Sequence, residues 1–125
     1  MNVHKELEFR EGPNMDEACL RLLSCQMGVL RAEEMICQVL VDLATCLANL
    51  SPRRSGLDAD YILAEARAVI PLAEKVGMLG LARVAESVVE CAGRREAAAL
   101  AATLARLQRV GDRSLLDIWD FTDLA

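Results

Sequence analysis

Residues 15–50 contain no proline, and Ile36, Leu40, Leu43, Leu47 and Leu50 recur among them at alternating steps of four and three. That spacing gathers five apolar side chains on one helix face and would scatter them over both faces of a strand, so the segment is predicted helical. A run of this length exceeds the usual globular helix. Gly28 is its weak point, and we expect a bend or break near residues 28–30, leaving two helices rather than one. Met35, Val39 and Cys46 form a second apolar strip beside the first. A helix apolar over so much of its circumference needs cover on more than one side. Either it lies centrally in a bundle, or a second copy covers the extra strip, which makes Met35, Val39 and Cys46 the expected dimer contacts.

The rest of the chain reads the same way. Hydrophobic residues make up 54% of the 125, but aromatics only 3%. The apolar content is mostly Ala, Leu and Val, with Met and Cys, which favours helices over sheets. Asn14 or Asp16 is expected to cap the first helix. Residues 51–56 form a turn cluster. Asp58 then caps a helix running to about Val76, with Leu57 and Ile62 placed for a hydrophobic staple. Pro71 inside it predicts a kink, and Gly77 and Gly80 bracket its end. Further helices are predicted over 81–92, ended by Gly93, and over 94–110, ended by Gly111. Residues 112–125 are expected to form a short helix, capped by Asp112, that lays Trp119 on the bundle. The predicted fold is all-α: an antiparallel four-helix-type bundle with short loops and a short C-terminal extra helix. Residues 1–14 are expected to be a flexible arm, and 15–125 a single domain.

The formal net charge of −5 and pI near 4.9 argue against a nucleic-acid or anionic-membrane partner, both of which want a basic surface. No stretch reaches the roughly 20 apolar residues of a membrane span, and no export signal opens the chain, so the expected compartment is the cytoplasm. The five cysteines, Cys19, Cys25, Cys37, Cys46 and Cys91, include no Cys-x-x-Cys pair, and the one histidine, His4, lies in the arm. Zinc spacing is absent. The cysteines are expected to be buried free thiols acting as small hydrophobes. No Ser-His-Asp set or phosphate loop occurs, so neither an enzyme nor a cofactor or metal is expected.

The most informative stretch is residues 70–86, I-P-L-A-E-K-V-G-M-L-G-L-A-R-V-A-E. It resembles the core of histidine-phosphotransfer (Hpt) domains, whose helix carries H-x-L-K-G-S and ends in a Leu-Gly pair. An Arg-Leu-Ala-Glu-like start to the next helix usually follows. In this register Leu72 matches the buried leucine and Val76 the small inward residue. Leu79 and Gly80 match the helix-ending pair, and Arg83 to Glu86 the opening of the following helix. The resemblance covers about residues 57–110 in pattern and implies an Hpt-like bundle.

The departures bear on function. Ile70 stands at the phosphoacceptor position, Ala73 where the family has lysine, Glu74 where it has glycine and Lys75 where it has serine. Phosphoryl transfer needs an exposed imidazole nitrogen for in-line attack, and isoleucine has no nucleophile. Glu74 puts bulk and negative charge where a phosphate would sit. The resemblance therefore implies a protein that binds a receiver domain or histidine kinase without carrying phosphate. Its expected docking residues are Arg67, Ile70, Ala73, Glu74 and Gly77. On the helix, Val69, Leu72, Val76 and Leu79 are read as the inward row, with Leu63, Arg67, Ile70, Glu74 and Gly77 as a partly exposed row beside it. Ile70 is then either a boundary core residue or the centre of a docking face. The competing reading is a homodimeric structural or adaptor protein with no phosphorelay partner.

Overall fold

A computed structural model describes residues 16–124, the side chains of residues 17 and 119–124 excepted. Among them are six helices: α1 (Glu17–Met27), α2 (Val29–Asn49), α3 (Pro52–Ser55), α4 (Ala59–Lys75), α5 (Leu79–Arg94) and α6 (Ala97–Leu124). The arm and His4, expected over 1–14, lie outside the described residues, as does the side chain of Trp119.

The expected break falls at Gly28. Its backbone adopts φ 84° and ψ 153°, a region that side chains disfavour. Its N–H donates to Ser24 O at 3.0 Å and its own carbonyl accepts from Ala32 N–H at 3.0 Å. One residue thus ends α1 and begins α2. Asp16 caps α1, with Oδ1 accepting from the Ala18 and Cys19 N–H groups at 3.0 and 3.3 Å. Asp58 caps α4 in the same way, from Asp60 and Tyr61. Each such cap contributes about 1 kcal/mol. The turn cluster contains α3, one helical turn opened by Pro52 and closed by left-handed Gly56. Leu57 is also left-handed, at φ 60°, and stays 48% exposed while Ile62 is fully buried. The expected staple between them is therefore not a buried contact.

The core runs between α2, α4, α5 and α6. α4 packs most extensively on α5, α5 on α6, and α2 on α4, with α1 laid on α2. The α2 face expected to point inward does so: Ile36, Leu43, Leu47 and Leu50 are buried and Leu40 packs against them. Full burial of a Leu or Ile is worth about 1.5–3 kcal/mol, so this face alone anchors α2.

Three expected helix boundaries are corrected. α5 begins at Leu79, two residues early, with Gly80 inside it. The stop after α4 is a Schellman turn: Gly77 (φ 76°) donates to Glu74 O at 3.1 Å and Met78 N–H to Ala73 O at 2.8 Å. Gly77 alone supplies the left-handed residue, which leaves Gly80 free to be helical. α5 ends at Arg94, with Arg95 as its cap, rather than at Gly93. Arg95 takes the left-handed conformation (φ 55°), while its guanidinium donates to Asp60 at 2.8 Å.

The third correction changes the architecture. α6 is one helix of 28 residues, so no separate C-terminal helix follows Gly111 and Asp112 caps nothing. Gly111 is buried, and a Cβ there would lie 2.6 Å from Leu47 Cδ1. The glycine lets α6 approach α2 and does not end the helix. Pro71 sits inside α4 on its exposed side.

Candidate functional site

On α4 the buried row is Ile62, Ala66, Val69 and Ala73, continued by Val76. This row is turned slightly from the expected one. Val69 and Val76 are inward as expected, but Leu72 is half-buried and Leu79, which opens α5, is 42% exposed. Ile70 is half-buried and packs against the core. Arg67 and Glu74, one turn to either side, are exposed. The five expected docking residues therefore divide. Arg67, Ile70 and Glu74 reach one surface. Ala73 is corrected to a core position, 0% exposed, because its place on the helix faces the interior.

Gly77 is also corrected, since the start of α1 lies across it. Asp16 N–H donates to Gly77 O at 2.9 Å, and Cys19 Sγ sits 3.9 Å from Lys75 O. The start of the short leading helix thus lies against the turn between α4 and α5.

The α2 strip of Met35, Val39 and Cys46 is covered within the chain. Val39 is 3% exposed, and Met35 and Cys46 are half-buried against the core. As a set these three are not an open dimer face. Apart from its first residue, Val29, the exposed apolar residues of α2 include a row on its other side: Leu30 at 75%, Val41 at 59%, and Cys37, Ala44 and Ala48. That row was legible in the sequence as a second stripe at steps of seven, four, three and four, but the larger residues of the inward stripe masked it.

Beside Ala44 and Ala48 a shallow open groove of about 370 Å³ runs between α2 and α6, with Arg54 and Asp112 at its edges. Its walls are fixed by polar contacts. Gln108 Nε2 donates to Leu47 O at 2.8 Å, Arg54 Nη1 to Asn49 Oδ1 at 3.0 Å, and Asn49 Nδ2 to Glu65 Oε1 at 3.1 Å.

The cysteines depart from expectation, none being fully buried: Cys25 and Cys37 are exposed, and Cys19, Cys46 and Cys91 half-buried. Burial, then the Asp16 carboxylate, pushes the Cys19 thiol above its ordinary range. Burial, then Glu65 and Asp42, does the same to Cys46. Neither is an activated nucleophile, which needs the opposite shift. Among the described residues no cluster of His, Cys, Asp or Glu is arranged to hold a metal ion, and no helix is long and apolar enough to cross a membrane. No protein-family model, curated protein or solved structure matches the chain.

Proposed function

We propose that the chain is a non-catalytic, Hpt-like protein of a two-component phosphorelay that occupies a receiver domain or histidine kinase without carrying phosphate. The observation that carries this reading is the surface around Ile70. An apolar, half-buried side chain sits on α4 at the family's phosphoacceptor position, with exposed Arg67 and Glu74 one turn away on either side. An apolar centre with a charged rim is the anatomy of a transient protein interface. The order of elements supports the same reading: a short leading helix, then four longer helices, the first two of them linked through the single turn of α3. In this reading α2, α4, α5 and α6 form an antiparallel Hpt-like bundle. The protein works in the cytoplasm, where phosphorelay partners meet.

The test is titration of the chain against isolated receiver domains of its source, with and without a phosphate mimic. Saturable binding to one receiver, weakened by Ile70→Glu but not by the off-face variant Leu116→Glu, is the expected result. Binding to none, or binding indifferent to Ile70→Glu, would sink the reading.

A further inference from the structure

Among the described residues nothing covers the outward side of α2, and its composition points to an occupant. Leu30, Glu34, Cys37, Val41, Ala44 and Ala48 follow steps of four and three along the helix, the spacing of a coiled-coil seam. Five of the six are apolar or small, and all six are exposed. An exposed apolar stripe of this length usually marks an interface. The stripe is also graded. Its bulk lies in Leu30, Cys37 and Val41. Its last two members are alanine, and there the groove between α2 and α6 opens.

From this we propose that α2 docks on α2 of a second copy of the chain, antiparallel and related by a two-fold axis. A two-fold contact must be self-complementary, each residue facing a partner residue at a constant sum of positions. Placing Leu30 opposite Ala48 sets Glu34 opposite Ala44 and Cys37 opposite Val41, so one register pairs every member of the stripe. Each Leu30 then enters the alanine-lined groove of the other copy, a large side chain against two small ones.

Charge favours the same register. Glu33 is exposed on the groove side of the stripe, and Arg54 edges the groove. The Arg54 guanidinium is held at the level of Asn49 by its 3.0 Å bond to Asn49 Oδ1. In the proposed register Asn49 faces Val29, about one helical turn from Glu33. Each copy therefore brings an acid towards the other's arginine, twice by symmetry. A parallel pairing would put Leu30 against Leu30 and Ala48 against Ala48 and lose both matches.

The experiment is light scattering and sedimentation of the full chain over a concentration series. The expected result is a mass that rises to that of a dimer. Val41→Glu should raise the dissociation constant by at least about tenfold, since it buries two unpaired charges near the axis. Leu57→Glu, an exposed apolar site off the stripe, should leave it unchanged. Circular dichroism checks that both variants fold. Glu33→Arg and Arg54→Glu should each weaken the dimer, and the two together should restore it. A monomer at every concentration, or a dimer indifferent to Val41→Glu, overturns the proposal. A dimer not restored by the double exchange overturns the antiparallel register. The receiver titration is independent of this result, because it reads the Ile70 surface of α4.

Discussion

The Asp16 N–H donates to the Gly77 carbonyl at 2.9 Å, and the two residues are so close that a Cβ on Gly77 would lie 2.9 Å from Asp16 Cβ and 3.0 Å from Asp16 O. Gly77 thus does two things. Its positive φ ends α4, and its missing side chain admits α1. Gly77→Ala should cost about 1–3 kcal/mol in strain and displaced contacts. Cys19, now beside Lys75 O, should become faster to label with a maleimide. Urea unfolding and labelling on one sample check this. A loss of stability without faster Cys19 labelling would mean that α1 stays docked.

A second glycine acts by proximity. A Cβ on Gly111 would meet Leu47 Cδ1 at 2.6 Å and Cδ2 at 2.9 Å, and Leu47 is buried with little room to turn. Gly111→Leu should therefore destabilise the fold by about 1–3 kcal/mol through overpacking. Leu47→Ala in the same chain should recover part of that loss, because it vacates the contested space. Thermal unfolding of the two single variants and the double one measures the coupling, and simple additivity would contradict the contact.

Ala73 and Ala68 separate the inside of α4 from its outside. Ala73→Glu buries an unpaired carboxylate and should cost roughly 3 kcal/mol or more. Ala68 is exposed, and Ala68→Glu should stay within about 0.5 kcal/mol of the parent. Equal effects in urea unfolding would mean that the core row of α4 is misassigned.

The thiols give a pH signature. Cys19 and Cys46 are held above the ordinary value of 9.0 in the fold, chiefly by burial, so the folded chain keeps protons that the unfolded chain releases. Stability from this source is fully present below pH 9 and is lost as pH rises through the raised values. Cys25, which is exposed, should be the first to react with a thiol reagent at pH 8, joined by Cys37 in protein dilute enough to be monomeric. Cys19 and Cys46 should lag. Mass spectrometry of partly labelled protein reads the order, and early labelling of Cys46 would contradict its placement.

Much of the fold was legible because periodicity and capping are local. Asp16, Gly28 and Asp58 act where the sequence puts them, and the inward face of α2 is the one its spacing marks. What failed depends on neighbours distant in sequence. Gly93 and Gly111 read as stops, yet glycine permits a stop without demanding one. Gly111 is needed because Leu47, far away along the chain, lies against it. The rows of α4 were misplaced by about one position because Ala73 is small and reads as weakly as a surface alanine. Only tertiary packing puts it inside. On α2 the large strip residues drew attention to Met35, Val39 and Cys46, which the chain's own core covers. The alanines that leave the other side open carry little signal by themselves. Helix spacing puts Ile70 in one row with Arg67 and Glu74, where the first is half-buried and the other two exposed, but nothing local shows α1 crossing Gly77.

The most direct measurement is phosphoryl transfer from a histidine kinase through an authentic phosphotransfer domain to its receiver, followed with radiolabelled ATP while this chain is added. The proposed function predicts slower transfer as the chain increases, no label on the chain itself, and relief of the inhibition by Ile70→Glu. Label on the chain, or a transfer rate that ignores it at every concentration and for every receiver of the source, would contradict it.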